Sequence, residues 1–153
     1  MSTYTKLLFH VVFATKYRKR TISPQWEQDL YAYISALTRE KNGRLLASGG
    51  TQDHAHFLFL LPPTMAISDF LRVAKACSSK WINERPDVHF RFAWQTGFSA
   101  FSVSDAVVPN VQKYIQNQKE HHLRESSQEE LIRMLKLAGI EFVPRFVVEQ
   151  EPE

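Results

Sequence analysis

The chain has 153 residues, of which 44% are hydrophobic and 23% charged, a composition that predicts one compact domain and excludes a wholly disordered protein. Its one cysteine, Cys77, excludes an intrachain disulfide and a cysteine-rich zinc site, and no apolar stretch approaches the roughly 20 residues of a membrane helix. We therefore expect a cytoplasmic protein without a membrane span.

The formal net charge of +3 hides an uneven distribution of charge along the chain. Residues 1–124 carry sixteen Lys or Arg against nine Asp or Glu, whereas residues 125–153 carry three against seven. The basic body favours a polyanion such as nucleic acid as partner, because Lys and Arg that neutralise phosphates release counterions. A solvated, unevenly charged surface without such a partner is the alternative.

The chain begins with a predicted strand, a basic segment and a predicted helix. Residues 7–15 read LLFHVVFAT, and a short run rich in Val and Phe is typical of a largely buried strand. The basic segment, residues 16–20, follows directly. Ser23 and the proline after it are typical of a helix start. Apolar residues then recur at helical spacing, and Asn42 with the next glycine predicts the end of this helix.

The middle of the chain predicts two strands, a second helix and a further strand. Residues 44–51 and 53–61 are the two strands, joined through a glycine-containing corner. Residues 67–82 have apolar side chains at helical spacing, and the helix ends before Pro86. Residues 94–103 alternate aromatic with small residues and predict one bent strand or a tight strand pair.

Two further helices are predicted toward the end of the chain. One covers residues 109–123, and residues 127–130 read SQEE, a capping box that opens a short last helix closed by Gly139. We assign residues 1–139 to a single domain and residues 140–153 to a weakly structured tail.

The order of these elements predicts the fold. Strand, helix, strand, strand, helix, strand is the split βαβ arrangement of ferredoxin-like α+β folds, with an antiparallel sheet and helices on one face. The extra C-terminal helices follow this unit. This fold hosts many unrelated activities, so function depends on the site residues.

Two histidines in a predicted strand form the first candidate site. His54 and His56 flank Ala55 within the apolar strand 53–61. Residues i and i+2 of a strand share a face, so the two imidazoles can converge on one divalent ion. The alternative is structural, with one histidine facing solvent at the strand end and the other hydrogen-bonded to a neighbour.

A second pair of residues gives the histidines a context. Tyr114 and Gln118 lie four residues apart on the predicted helix 109–123 and therefore share one helical face. Packing of the tyrosine in the core and exposure of the glutamine is the alternative interpretation. Two imidazoles and an amide oxygen would leave open positions on Mg²⁺ or Mn²⁺, and a nearby tyrosine could attack a bound phosphate.

Four segments in this order and spacing resemble the single-tyrosine transposases of the smallest bacterial insertion sequences and the related REP-associated tyrosine transposases. The segments read LLFHVVFATKYRK, DHAHFLFLLPP, IxxFLRxxKxxSSxW and YIQNQKEH, and they span most of the chain. These transposases belong to the larger group of histidine-hydrophobic-histidine endonucleases.

The resemblance implies a role for each site residue. His54, His56 and Gln118 would hold Mg²⁺ or Mn²⁺, and Tyr114 would be the nucleophile that cuts single-stranded DNA. The product would be a 5′-phosphotyrosine with a free 3′ hydroxyl. The resemblance also implies recognition of hairpins at element ends and a homodimer, in which the tyrosine helix of one subunit can serve the histidines of the other.

The basic segment is the candidate DNA contact. Its cations would bind phosphates and its tyrosine would stack on a base. A solvated turn is the alternative interpretation. The residues of this candidate surface are Lys16, Tyr17, Arg18, Lys19 and Arg20.

Two other functions remain open at this point. A non-catalytic single-stranded nucleic-acid-binding protein, domesticated from such an enzyme, would keep the basic surface and lose the metal site. A metal-dependent phosphodiesterase acting on small nucleotides would use water as nucleophile and would tolerate the loss of the Tyr114 hydroxyl.

Overall fold

A computed structural model describes residues 2–147. One four-stranded antiparallel sheet, in the order β2-β3-β1-β4, forms the centre of this part of the chain. The prediction of a ferredoxin-like α+β fold is therefore confirmed. The strands are β1 (Leu7–Ala14), β2 (Arg44–Gly50), β3 (His54–Leu61) and β4 (Ser99–Ser102), and the helices are α1 (Glu27–Glu40), α2 (Ile67–Asn83), α3 (Val108–Gln116), α4 (Gln118–His121), α5 (Ser127–Leu137) and α6 (Pro144–Val147).

The main core lies between one face of the sheet and helices α1 and α2. Alternate residues of β3, among them Ala55, Phe57 and Phe59, point to this side and are fully buried. They pack with apolar side chains of both helices, including Leu30 of α1 and Phe70 of α2. Burial of these large aromatic groups supplies the main hydrophobic stabilisation of the fold.

The opposite face of the sheet is covered by α3. Ala47 of β2, Leu58 of β3 and Ile115 of α3 form a second, smaller buried cluster. The helix approaches β2 so closely that a Cβ at Gly49 would lie 2.0 Å from the carbonyl oxygen of Ile115. The period of two in β3 therefore sends its odd-numbered residues into the main core and His54 and His56 toward α3.

Several predicted elements differ in detail from the structure. The helix predicted to start at Ser23 begins only at Glu27, because residues 24–26 form a turn and Trp26 is the N-cap residue. The strand predicted over 94–103 is confined to β4, because Gly97 takes a positive φ of 85° and only an isolated bridge involves Trp94. The helix predicted over 109–123 is interrupted at Asn117, whose backbone leaves helical geometry between α3 and α4.

The predicted capping box of α5 is displaced by one residue. Ser126 is the N-cap residue, and its hydroxyl accepts a hydrogen bond from the backbone N–H of Glu129 and donates one to the carboxylate of Glu129. The box therefore uses Glu129 rather than Glu130, which is left to point into the protein, where its side chain is 1% exposed.

The first part of the predicted tail packs against the domain. Residues 144–147 form the helical turn α6, and Val147 is buried. The rest of the tail, residues 148–153, lies outside the described residues. Over residues 2–147, every helix is too short or too polar to cross a membrane.

Candidate active site

His54 and His56 begin strand β3 and lie side by side on the face that α3 covers. Both imidazoles are buried, with exposed side-chain fractions of 1% and 0%, and their ring centroids are 5.1 Å apart. The shared face expected from the strand pattern is thus observed, and neither ring faces solvent. Two converging buried imidazoles form the base of the site.

Neighbouring side chains fix the orientation of His54. Its Nδ1 lies 2.7 Å from Asp53 Oδ1 and 2.9 Å from Thr51 Oγ1, so this nitrogen is held on the side away from the site. Burial lowers the pKa of His54, but hydrogen bonds to Asp53 and Glu130 more than compensate and raise it to about 9. A carboxylate on Nδ1 leaves Nε2 as the atom directed at a possible metal ion.

His56 is oriented by a histidine of the adjacent strand. Its Nδ1 lies 2.8 Å from Nε2 of His10 on β1. Burial, together with the repulsion that a protonated His56 would exert, lowers the pKa of His10 to about 3. Burial also lowers the pKa of His56, to about 4, so both rings are neutral at pH 7. A neutral imidazole is the form that binds a metal ion.

Helices α3 and α4 bring the predicted amide and phenol to the histidines. Gln118 is 1% exposed, and its Oε1 lies 3.1 Å from His54 Nε2. The centroid of the Tyr114 ring lies 6.0 Å from that of His56. The structure therefore brings His54, His56, Tyr114 and Gln118 together within one chain.

Glu130 of α5 occupies the centre of this group. Its Oε1 lies 2.7 Å from His56 Nε2, and its Oε2 accepts a hydrogen bond from the amide of Gln118 at 3.1 Å. Burial raises the pKa of this carboxyl, but hydrogen bonds from His122, His54 and His56 outweigh burial and hold the pKa far below its ordinary value. Glu130 is therefore a buried carboxylate among imidazoles.

The Tyr114 hydroxyl contacts two charged side chains. It donates a hydrogen bond to Glu130 Oε2 and accepts one from Arg133 Nη2 at 3.1 Å. Burial and the Glu130 carboxylate raise the pKa of the phenol well above its ordinary value, while Arg133 acts in the opposite direction. In this arrangement the tyrosine is a neutral phenol, and a cation beside its oxygen would favour the phenolate.

His122 is a further nitrogen donor beside the site. It follows Gln118 by one helical turn, and its Nε2 lies 2.9 Å from Gln118 Oε1 and 3.2 Å from Glu130 Oε1. Donor atoms of His54, His56, His122 and Glu130 all lie within 4.8 Å of one another. These distances are compatible with ligands of one metal ion.

The residues present fit a small divalent cation. The donor set combines imidazole nitrogens with amide and carboxylate oxygens and contains no thiolate, a mixture compatible with a divalent cation. The donors converge from strand β3 and from helices α4 and α5 on one buried position. The arrangement can hold a cation beside the Tyr114 hydroxyl.

The basic segment lies at the same end of the sheet as the histidines. Ala14, the last residue of β1, pairs with His54, and the segment follows directly as a turn. The ammonium groups of Lys16 and Lys19 lie 5.3 and 6.0 Å from the centroid of the Tyr17 ring, so the aromatic ring is flanked by cations. This placement is compatible with a phosphate-binding and base-stacking surface.

Arg18 differs from its neighbours because its guanidinium is directed into the protein. Its Nη1 donates a hydrogen bond to Ser127 Oγ at 2.8 Å, and its Nη2 donates one to the carbonyl of Val147 at 3.2 Å. Both Tyr17 and Arg18 have positive φ angles, 56° and 51°, a costly conformation for residues other than glycine. Arg18 thereby joins the basic segment to α5 and α6.

Two clefts open beside the site. The first, of about 550 Å³, is bordered by His122, by the cations Arg20, Lys119 and Arg124, and by the carboxylates of Glu27, Asp53 and Glu125. Lys119 is ion-paired with Glu27 at 2.6 Å. The second cleft, of about 410 Å³, is lined by Tyr114, Lys113 and Arg124. Arg124 therefore borders both clefts.

Sequence reasoning did not find Glu130, Arg133, His122 or His10 as site residues. His122 lies four residues after Gln118, near the same helical face, but its place at the end of the predicted helix favours a helix-end cation over a ligand. Glu130 was assigned to a helix cap, and only the displaced box and the packing of α5 reveal its orientation. No local pattern links His10 to His56.

Comparisons with known proteins identify a family and relatives of this chain. The family described as "Transposase IS200 like" matches residues 3–118. The transposase for insertion sequence element IS200 of Salmonella typhimurium is 31% identical over 117 residues, which cover 73% of this chain and 76% of the relative. The ISDra2 transposase TnpA of Deinococcus radiodurans is 22% identical over 120 residues, covering 75% of this chain and 86% of the relative.

Two solved structures share the fold. A Deinococcus radiodurans protein described as a transposase superposes with a TM-score of 0.62 at 24% identity, covering 77% of this chain and 95% of its own. A REP-associated tyrosine transposase, solved bound to a REP hairpin, superposes with a TM-score of 0.55 at 17% identity, covering 75% of this chain and 70% of its own. At these identities the likenesses establish the fold.

Proposed function

This chain belongs to the family of IS200-like transposases, and we propose that it cleaves and joins single-stranded DNA through a covalent bond to Tyr114. The observation that carries the proposal is the meeting of the Tyr114 hydroxyl with His54, His56 and Gln118 through one buried network. These residues come from elements far apart in the sequence. A phenol beside a cluster of metal donors is an arrangement that can support phosphoryl transfer to tyrosine.

In the proposed reaction, the Tyr114 oxygen forms a bond to phosphorus, and the bond from phosphorus to the 3′ oxygen breaks. The strand then carries a 5′-phosphotyrosine on one side and a free 3′ hydroxyl on the other, which can attack in the reverse direction. Glu130 Oε2 accepts the hydrogen bond of the hydroxyl and would pass the phenol proton on, and the departing 3′ oxygen takes up one proton as it leaves as a hydroxyl. Arg133 Nη2 donates to the Tyr114 oxygen and favours the phenolate.

His54, His56 and Gln118 would hold a Mg²⁺ or Mn²⁺ ion. When bound, such an ion would polarise a phosphate oxygen and reduce the charge that the attacking oxygen meets. Asp53 and His10 hold the two imidazoles through their Nδ1 atoms. The protein therefore fixes the direction of both Nε2 atoms before a ligand arrives.

The proposed path for the DNA strand follows the two clefts that meet at Arg124. The first cleft carries Arg20 of the basic segment, and the second leads to Tyr114. Lys16, Tyr17 and Lys19 extend the surface at the same end of the sheet and would bind the flanking strand. Arg18 would support this surface through its contacts with α5 and α6.

We further propose that the substrate ends are hairpins, that the protein acts in the cytoplasm and that it acts as a homodimer. The hairpin proposal is supported by the fold neighbour that was solved with a REP hairpin. The four proposed active-site residues meet within a single chain here, so this conformation needs no residue from a second copy. Exchange of the tyrosine helix between subunits remains a prediction.

The test is formation of a covalent protein–DNA adduct. Labelled single-stranded DNA carrying imperfect palindromes from the region around the coding sequence is incubated with protein and Mn²⁺ and analysed on a denaturing gel. We expect an adduct with the natural chain and none with Tyr114→Phe, because phenylalanine has no oxygen to form the bond. Tyr33→Phe is the matched control, since Tyr33 stacks on Trp81 in the α1–α2 layer, and should form the adduct normally.

Other outcomes favour the other two functions. DNA binding that survives His54→Ala, with no cleavage by either protein on any candidate end, favours a domesticated binding protein. Cleavage that persists in Tyr114→Phe favours a phosphodiesterase that uses water. Either result would overturn the proposed tyrosine mechanism.

A further inference from the structure

The buried side chain of Glu130 contacts three of the imidazoles around the proposed metal site. It lies on α5, outside both segments that carry the proposed ligands, and its side chain is 1% exposed. Its Oε1 lies 2.7 Å from His56 Nε2, 3.5 Å from His54 Nε2 and 3.2 Å from His122 Nε2. One carboxylate oxygen therefore faces three imidazole nitrogens.

The spacing of these atoms matches that of ligands around one small cation. Ligands of Mg²⁺ lie about 2.1 Å from the ion in octahedral geometry, so adjacent ligand atoms are about 3.0 Å apart. The distance from Gln118 Oε1 to His54 Nε2 is 3.1 Å, and the Glu130 distances to the two histidines bracket the same value. Glu130 Oε1 thus stands where an adjacent ligand would stand.

The charge of the proposed ligand set also favours Glu130 as a ligand. His54, His56 and Gln118 bind a metal as neutral groups, so without Glu130 the double positive charge would have no anionic ligand, and the Asp53 carboxylate would face it only across the His54 ring. Mg²⁺ and Mn²⁺ favour carboxylate oxygens, and buried charges in proteins are paired. Glu130 supplies a negative charge at this position.

The second oxygen of Glu130 links the metal donors to the nucleophile. Oε2 accepts hydrogen bonds from the Tyr114 hydroxyl and from the Gln118 amide. A carboxylate that binds the ion through Oε1 would therefore keep the phenol oxygen beside that ion through Oε2.

We propose that Glu130 is a fourth, anionic ligand of the divalent ion and that α5 delivers it to the site. This inference rests on the proposed function only in taking His54, His56 and Gln118 as metal ligands. A counter-ion for the surrounding imidazoles in the metal-free protein is the competing role, and it does not require contact with the ion.

The test measures binding of Mn²⁺ to the full chain by electron paramagnetic resonance, without DNA. We expect Glu130→Gln to weaken binding at least tenfold, because glutamine keeps the size of the side chain and removes its charge. Glu129→Gln is the matched control on the same helix. Its amide can still close the capping box, so its affinity should equal that of the natural chain. Unchanged affinity in Glu130→Gln would overturn the proposal.

A crystal structure of the natural chain soaked in Mn²⁺ provides a second measurement that needs no variant. We expect an anomalous peak within about 2.4 Å of Glu130 Oε1, at bonding distance from His54 and His56. A peak on the histidines with Glu130 turned away would overturn the proposal even if Glu130→Gln does not fold. Both readouts are independent of DNA cleavage, so absence of a DNA adduct would bear on the proposed function alone.

Discussion

Three neighbouring buried histidines, His10, His54 and His56, differ in the direction of their pKa shifts. Burial alone would lower the pKa of His54, but Asp53 and Glu130 raise it to about 9. Burial lowers the pKa of His56 to about 4 and that of His10 to about 3. The ordinary value for each is 6.5. Stability should therefore depend on pH in both directions around that value.

We expect the free energy of unfolding of the metal-free protein to be highest near pH 6.5. Above this pH the unfolded chain loses a proton that native His54 keeps up to about pH 9, so stability falls. Below it the unfolded chain takes up protons that native His10 and His56 exclude, so stability falls by about 1.4 kcal/mol per pH unit for each such proton.

Urea unfolding in EDTA between pH 4.5 and 9 measures this dependence. His10→Gln removes one of the two buried neutral imidazoles and should reduce the slope on the acid side. A stability that rises as the pH falls from 6.5 to 4.5 would contradict the assigned protonation states.

Helix α3 carries Tyr114, and its position depends on one close backbone contact. The helix crosses β2 at Gly49, which pairs with His56 on β3, so the contact lies directly above the site. The absence of a side chain at Gly49 allows the carbonyl of Ile115 to approach. The distance between Tyr114 and the histidines is therefore set partly by a glycine on another strand.

We expect Gly49→Ala to displace α3, because the new Cβ would lie 2.0 Å from the Ile115 oxygen. Such overpacking costs about 1–3 kcal/mol of unfolding free energy, and a shift of the nucleophile by about 1 Å should lower adduct formation about 100-fold. Ser48→Ala on the same strand is the control. Thermal unfolding and the adduct assay measure both effects, and a variant with normal stability and activity would contradict this account of α3.

At the scale of the whole molecule, basic residues lie at both ends of the sheet, and only one of the two groups is beside the site. Residues 16–20 follow β1 at the sheet end where Ala14 pairs with His54, whereas Arg44 pairs with Leu60 at the opposite end of β3. The chain therefore has one basic cluster beside the site and another, formed with Arg39 and Lys41, far from it. These two clusters allow a matched comparison.

We expect the triple variant Lys16→Gln, Lys19→Gln and Arg20→Gln to weaken binding of single-stranded DNA and to reduce its salt dependence. Each phosphate contact on single strands contributes about 0.7 to the slope of log affinity against log salt, so the slope should fall by about 2. The triple variant Arg39→Gln, Lys41→Gln and Arg44→Gln is the control. Fluorescence anisotropy at several salt concentrations measures the slopes, and equal slopes in both variants would place the DNA elsewhere.

Local periodicity determined a large part of this protein from sequence alone. The alternation in residues 53–61 places His54 and His56 on one face because strand side chains alternate with a period of two. The separation of Tyr114 and Gln118 by four residues places them together for an equally local reason, and the order of strands and helices predicts the ferredoxin-like sheet.

Only the tertiary structure decided which segments complete the site. Helix α3 covers the second face of the sheet, α5 inserts Glu130, and Arg18 turns inward. Each of these features depends on contacts between residues far apart in the chain. Periodicity specifies which face of an element is apolar but not which distant element will pack against it. The partner is selected by the shape and charge of surfaces that exist only after the chain has folded.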